Sequence, residues 1–318
     1  TNVFSNNNFC PPYPQCFVEF ETVGWTIDII NHQNCNPYPD CADGYTAIND
    51  PPAINGGNIY DGWCFYQSDL DVLQDFIDVN ESLSGEPLEI GIQRWYGGEY
   101  GNGRLNGLDF SNEGNEISII PESIGNLEEL EFVDFSNTQI TTIPAILGDL
   151  SELSKIWWEN GQLTGFIPPE LGNLTNLTGL KLNDNQLTGS IPAELGNTNL
   201  HYLYLNRNQL TGEVPLEIWN LEAFYESGDP YENGGLSLRT INLRHNQLSG
   251  ILSESLCDIN LRWNSRNFID LRNNHFCPPY PSCLENKMGQ QDDSNCSQAS
   301  IIEDIMPITY HLYSAYPN

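Results

Sequence analysis

A repeating pattern of about 24 residues fills the middle of the chain and restricts its possible folds more than any other feature. The clearest copy runs from Leu177 to Asn197 and reads LTGLKLNDNQLTGSIPAELGN. Its proline recurs at spacings of 23, 24, 24 and 23 residues, at Pro121, Pro144, Pro168, Pro192 and Pro215. A fixed period of this size indicates stacked supersecondary units, because one unit cannot bury its apolar face alone.

The repeated L-x-x-L-x-L-x-x-N-x-L pattern resembles the leucine-rich repeat. We count about seven units over residues 105–276, centred on Phe110, Phe135, Trp158, Leu182, Leu205, Leu243 and Leu271. Each x-L-x-L-x segment predicts a short strand with inward leucines. We therefore expect an α/β solenoid, a leucine-rich-repeat superhelix with a parallel concave sheet, outer helical turns and disulfide-stapled caps. The excess residues between Pro215 and Ser253 should loop out and leave the Leu205 and Leu243 strands adjacent.

Two further resemblances bear on origin and role. The variant LTGxIPxxLGNL is similar to the plant-specific leucine-rich-repeat class, which includes receptor-kinase ectodomains and polygalacturonase-inhibiting proteins. That likeness implies a binding module without catalytic residues. Residues 308–318, ITYHLYSAYPN, resemble the opening of a type IX secretion sorting domain. This second likeness implies a secreted or surface protein of a bacterium.

These patterns divide the chain into five predicted segments. Residues 64–104 form an N-terminal cap, with a helix capped by Ser68 and an apolar stripe of Leu70, Leu73, Phe76 and Ile77. Residues 105–276 are the repeats, and residues 277–300 form a Cys-rich C-terminal cap. Residues 1–63 are Cys-rich and resemble the end cap of another repeat array. Residues 301–318 are a linker and the start of the sorting domain.

Nine cysteines lie near the two ends of the chain, several in C-x5-C segments around Pro-Tyr-Pro. We expect disulfides of an oxidising compartment rather than a zinc site. By loop position the predicted pairs are Cys16–Cys35, Cys41–Cys64, Cys257–Cys277 and Cys283–Cys296, which leaves Cys10 odd or intermolecular. Residues 6–16 nearly copy residues 273–283. The copy favours a head-to-tail assembly or a longer tandem array.

The net charge of −32 disfavours binding to nucleic acid or to anionic lipid. No apolar run is long enough to span a membrane. The five histidines lie outside known catalytic motifs, so we expect no enzyme activity. We also expect no metal and no cofactor. The alternative is a structural calcium site in the oxygen-rich segment 112–116.

The strand register predicts which side chains face solvent on the concave sheet. The candidate binding residues are aromatic or basic, namely Phe132, Trp157, Lys181, Tyr202, Tyr204, Arg207, Arg244, Phe268 and Arg272. The alternative is that the aromatic rings only pack across strands. We expect an extracellular protein of surface adhesion or head-to-tail self-assembly. The alternatives are a recognition module for protein or glycan, and a plant-like inhibitor or ice-binding protein.

Overall fold

The computed structural model describes residues 43–47, 64–96, 102–111, 117–219, 221–223, 236–237, 240–258 and 268–296. The chain divides into two compact units, Thr1–Phe132 and Val133–Asn318. The predicted segment boundary at residues 104 and 105 falls inside a strand of the first unit. The described part of the chain contains no helix long and apolar enough to cross a membrane.

The first unit combines short strands with one longer helix. Its elements are β1 (Tyr45–Ala47), β2 (Cys64–Tyr66), α1 (Gln67–Val79), β3 (Ile92–Tyr96) and β4 (Asn102–Asp109), with 3-10 turns at Pro87–Glu89 and Glu122–Asn126. Strand β2 pairs antiparallel with β1 and parallel with β4, and β3 pairs antiparallel with β4.

Helix α1 is the predicted helix of the N-terminal cap. It buries Leu70, Leu73 and Phe76, and Ile77 is half-buried at the edge of the stripe. The predicted N-cap, Ser68, is wrong, because the chain enters the helix directly from β2 and Tyr66 takes the N-cap position. Ser68 therefore lies inside the first turn.

A buried ion pair connects α1 to β4. The Asp69 carboxylate accepts hydrogen bonds from Arg104 Nε at 3.0 Å and from the Leu105 N–H at 2.8 Å. Burial raises the pKa of Asp69 above its ordinary 3.8 and outweighs the opposing effect of these bonds. The Arg104 guanidinium also lies 4.0 Å from the centre of the Tyr66 ring. Removal of either partner would leave an uncompensated polar group in the first unit.

Strands of two to five residues recur through the second unit. In chain order they are β5 (Phe132–Asp134, at the unit boundary), β6 (Lys155–Trp157), β7 (Gly179–Lys181), β8 (Thr188–Gly189), β9 (Tyr202–Tyr204), β10 (Gln209–Gly212), β11 (Glu222–Ala223), β12 (Leu236–Ser237), β13 (Thr240–Asn242), β14 (Gln247–Ile251), β15 (Phe268–Asp270) and β16 (His275–Cys277). The helices are α2 (Leu216–Trp219), α3 (Glu285–Met288) and 3-10 helices at Ala145–Asp149, Pro169–Asn173, Ala193–Asn197 and Glu254–Asp258.

The main sheet of this unit is parallel and in register. Strands β6, β7, β9, β13 and β15 pair in that order, and their central residues are buried. Strand β13 lies directly beside β9, so the expectation that the excess residues leave these strands adjacent is confirmed. A second parallel sheet joins β8, β10, β14 and β16. The predicted leucine-rich-repeat fold is therefore present.

A ladder of buried asparagines links successive coils. Asn208 Nδ2 donates to the carbonyls of Leu182 at 2.9 Å and Leu205 at 3.1 Å, and its Oδ1 accepts from the Leu187 N–H at 3.0 Å. The same arrangement recurs at Asn185, Asn246 and Asn274. One side chain thus satisfies backbone groups of two coils, which explains the asparagine of the repeat.

Small residues let the outer helices stack closely. A Cβ placed on Gly148 or Gly172 would lie 2.4 Å from a carbonyl oxygen of the next coil, and one on Gly196 would lie 2.4 Å from Glu217 Cβ. No side chain fits in such a gap, so the glycine of the LGN segment is a packing requirement. In the next coil, the position that corresponds to these glycines holds Trp219, which is fully buried.

Two disulfides close the C-terminal end, with Cα atoms 5.6 Å apart in each. They join Cys257 to Cys283 and Cys277 to Cys296. The predicted pairs Cys257–Cys277 and Cys283–Cys296 are therefore wrong. Cys277 ends β16, which pairs with β14, whereas Cys257 belongs to the outer helix that follows β14. The chain therefore has to turn through Pro-Pro-Tyr-Pro before the next cysteine, Cys283, reaches Cys257.

The N-terminal cysteine predictions concern a different part of the chain. Cys64 is disulfide-bonded, and its predicted partner Cys41 lies outside the described residues. Cys10, Cys16 and Cys35 also lie outside them, as do segment 112–116 and residues 301–318. Those predictions remain predictions.

Candidate binding surface

The solvent-facing side of β6, β7, β9, β13 and β15, here called the sheet face, carries two aligned rows of side chains. The outer row holds Lys155, Gly179 and Tyr202, and the inner row holds Trp157, Lys181 and Tyr204. Thr240, Asn242 and Asp270 continue these rows as small or buried polar residues. The large aromatic and basic side chains are thus concentrated on three neighbouring strands.

Lys181 is the centre of this concentration. Its Nζ lies 3.1 Å from Glu159 Oε1, 4.3 Å from the centre of the Trp157 ring and 5.9 Å from the centre of the Tyr204 ring. The side chain of Lys181 is 30% exposed and that of Glu159 is 28% exposed, and Trp157 and Tyr204 are half-buried. Cation–π and ionic contacts fix the orientation of both rings before any partner arrives. The cluster is a preorganised, partly exposed aromatic surface.

Gly179 leaves open space beside this cluster. A Cβ built there would have a single neighbour within 4 Å, Lys155 Cγ at 3.8 Å. The aligned residue on the next strand is Tyr202, whose side chain is 39% exposed. The row therefore has a narrow depression between Lys155 and Tyr202, at the bottom of which Gly179 is buried.

Two arginines share one buried carboxylate at the far end of the sheet face. Arg272 Nη2 lies 2.6 Å and Arg244 Nη1 3.9 Å from Asp270 Oδ2. Burial opposes the charge of Asp270, but the hydrogen bonds and charges of the two arginines prevail and hold its pKa below the ordinary 3.8. Asp270 also accepts the Arg272 N–H, so the carboxylate both closes the turn after β15 and orients the arginines.

Each basic residue predicted for this surface has an acidic partner. Arg207 lies 3.5 Å from Asp184, Lys181 contacts Glu159, and the other two contact Asp270. The sequence concentrates cations on the sheet face, yet each of these four is balanced by an acid of its own or a neighbouring coil. Sequence reasoning missed these partners, although the acids stand one repeat or a few residues away. The sheet face therefore carries aromatic rings and charges of both signs, and it is not strongly basic.

Two predicted site residues differ from the others. Phe132 belongs to the first unit and is buried, because the Arg94 guanidinium lies 4.9 Å from the centre of its ring. The expectation that Phe132 is exposed is therefore wrong. Phe268 begins β15, and its side chain lies outside the described part of the structure. Within the described ranges, no group of three or more His, Cys, Asp and Glu side chains is placed to hold a metal ion.

Three segments of the chain match the family described as Leucine Rich Repeat, at residues 176–198, 199–221 and 237–259. These segments carry strands β7 to β10, β13 and β14 and three of the four ladder residues, Asn185, Asn208 and Asn246. No curated protein sequence matches the chain significantly.

The chain is similar to several solved structures. The PEPR1–AtPEP1 structure is 24% identical, with 70% of this chain and 30% of that chain covered and a TM-score of 0.52. The plant peptide hormone receptor RGFR1 in complex with RGF2 is 31% identical, with 50% of this chain and 24% of that chain covered and a TM-score of 0.41. A plant ice-binding protein is 25% identical over 56% of this chain and 72% of that chain, with a TM-score of 0.34. The chain thus spans a quarter to a third of the length of these two receptors.

Proposed function

We propose that the chain is an extracellular, non-enzymatic recognition protein that binds a segment of another protein through the sheet face of its second unit. The observation that supports this most is the cluster of Trp157, Lys181 and Tyr204 beside the exposed Tyr202 and the depression at Gly179. Aromatic and arginine side chains dominate the energetics of protein interfaces. Here the aromatic side chains of β6 and β9 flank Lys181 of the intervening strand β7.

The disulfides support the extracellular location. One disulfide joins the outer helix that follows β14 to the turn after β16, and the other joins β16 to the C-terminal cap. Structural disulfides of this kind persist in oxidising surroundings such as the cell exterior. The acidic surface keeps such a protein soluble and disfavours acidic partners. The bacterial surface and the type IX sorting signal remain part of this proposal.

The proposal is tested with peptides selected from a random display library on the immobilised, oxidised chain. The selected peptides should bind the Tyr202→Ala/Tyr204→Ala variant about tenfold more weakly, the loss expected when central aromatic anchors are removed. Gly179→Leu should weaken binding equally by filling the depression. Ile119→Ala is the matched control, because Ile119 is an exposed bulky apolar residue of the first unit and belongs to neither the sheet face nor another proposed surface.

Two results would contradict this assignment. One is equal binding of every selected peptide by wild type and by both sheet-face variants. The other is a loss of thermal stability in the double tyrosine variant large enough to explain its weaker binding, with Gly179→Leu binding normally.

A second candidate is head-to-tail self-assembly, favoured by the near copy of the C-terminal cap in residues 6–16. Because the structure pairs Cys283 with Cys257 of the preceding coil, the residue expected to reach a preceding coil is Cys16, the counterpart of Cys283, and not Cys10. Sedimentation velocity of the oxidised chain distinguishes the two candidates. A concentration-independent monomer would exclude assembly and leave recognition as the function.

A further inference from the structure

A groove of about 800 Å³ crosses four consecutive coils of the second unit, away from the sheet face. It runs along the segments that follow the second parallel sheet, where each coil passes into its outer helix. Its lining is mostly apolar and includes Phe166, Ile191, Leu216, Trp219 and Leu252. None of these residues belongs to the binding surface described above.

The groove has a cause in the sequence. From Ala145–Asp149 through α2, consecutive outer helices stack because glycine stands where they touch. At the fourth of these positions the chain has Trp219, whose indole cannot occupy a gap that excludes even a methyl group. Helix α2 and the next described helix, Glu254–Asp258, accordingly do not stack as the earlier ones do. The buried indole forms the floor of the space that opens between them.

Two apolar side chains stand exposed at this groove. Phe166 is 71% exposed and Leu216 is 55% exposed, the two largest exposures among the bulky apolar residues of the described ranges. The Phe166 ring packs against the backbone of Gly189, because a Cβ placed on Gly189 would lie 2.3 Å from Cδ1 of Phe166. Exposed apolar surface next to a concave space indicates an interaction site more often than a scattered surface residue does.

The charge of the rim indicates the kind of partner. Glu194 and Glu213 line the groove, and Glu170 and Glu217 lie on the adjoining helices. Among the described residues, no lysine or arginine lines it. A second copy of this chain, with 43 acidic and 11 basic residues, would bring more negative charge to an acidic rim. A partner that offers positive charge on both sides of an apolar side chain matches it.

We propose that this groove is a second docking surface, which takes a segment of another protein with an aromatic or aliphatic side chain flanked by lysine or arginine. The apolar side chain packs against the exposed side chains of Phe166 and Leu216. The flanking cations approach the carboxylates of Glu194 and Glu213. This surface is separate from the sheet face, so either surface can function without the other.

The test uses three end-capped peptides: Gly-Lys-Leu-Phe-Lys-Gly, the same peptide with both lysines replaced by glutamate, and the same peptide with leucine and phenylalanine replaced by serine. Binding to the oxidised chain is measured by calorimetry at low and high salt. Only the first peptide should bind, and high salt should weaken its binding. Leu216→Ser and Glu213→Gln should each weaken it about fivefold or more. Ile119→Ser and Glu128→Gln are the matched controls, an exposed isoleucine and an exposed glutamate of the first unit, and should change nothing.

Four results would overturn the proposal. They are absence of binding at millimolar peptide, equal binding of the glutamate peptide, equal losses in the control variants, and self-association of the chain that Leu216→Ser abolishes. The last would identify a second copy as the occupant. Tyr202→Ala/Tyr204→Ala should bind the lysine peptide normally, so failure of this proposal and failure of the sheet-face proposal give different results.

Discussion

Replacement of Asn208 by alanine tests whether the asparagine ladder holds the second unit together. The side chain is buried and contacts backbone groups of two coils. In Asn208→Ala, each of the two carbonyls keeps one hydrogen-bond donor: the Asn185 amide for Leu182 and the Asn246 amide for Leu205. The Leu187 N–H loses the acceptor that the asparagine supplies, in a site without access to bulk water.

The cost follows from these three bonds. A buried donor left without an acceptor costs about 2 kcal/mol, and each of the two lost carbonyl bonds costs about 0.5 kcal/mol because its acceptor keeps another partner. The free energy of unfolding should therefore fall by about 3 kcal/mol. This is a large part of the ~5–15 kcal/mol that stabilises a typical domain.

Asn206→Ala is the matched control. Asn206 lies two residues away in the same coil and is equally buried, but its Oδ1 has no hydrogen-bond partner. Urea unfolding followed by tryptophan fluorescence gives both changes at constant m. Hydrogen exchange with mass spectrometry should show faster exchange at Leu187 in Asn208→Ala alone. If the two variants lie within about 1 kcal/mol of each other, the ladder does not carry the stability assigned to it.

Three shorter predictions follow from packing, charge and disulfides. Gly172→Ala should lower stability by about 1–3 kcal/mol by forcing a backbone clash, whereas Gly179→Ala should be nearly neutral by thermal melting. Because folding lowers the pKa of Asp270, its carboxylate stabilises the fold at pH values above the ordinary pKa of 3.8, and this stabilisation is lost as the pH falls. The Asp270→Asn variant should therefore be less stable than wild type at neutral pH, and its free energy of unfolding should fall less on acidification. In Cys257→Ser, alkylation and peptide mapping should find Cys283 as the released thiol, and labelling of Cys277 instead would contradict the observed pairing.

The repeat register was readable from the sequence because leucines must alternate inward on each short strand and asparagine must bond the neighbouring coil. That register correctly predicted adjacent strands on either side of the excess residues before β13. The helix of the N-terminal cap was predicted for the same reason, from its buried stripe. Its N-cap was not, because the strand that precedes the helix, and not the local preference of Ser68, determines where the helix begins.

The sequence by itself therefore determined the fold, through a period that only stacked coils satisfy, and named the strands on which a binding surface would lie. The tertiary structure decided the exposure, the charge balance and the disulfide pairing of particular residues. These depend on contacts between residues that the repeat pattern does not relate. Arg94 covers Phe132, acids pair with Lys181, Arg207, Arg244 and Arg272, and the cysteines pair across the turn after β16. The groove at Trp219 is of the same kind. One bulky residue in a glycine position changes how two coils meet, and only their three-dimensional packing shows the space that results.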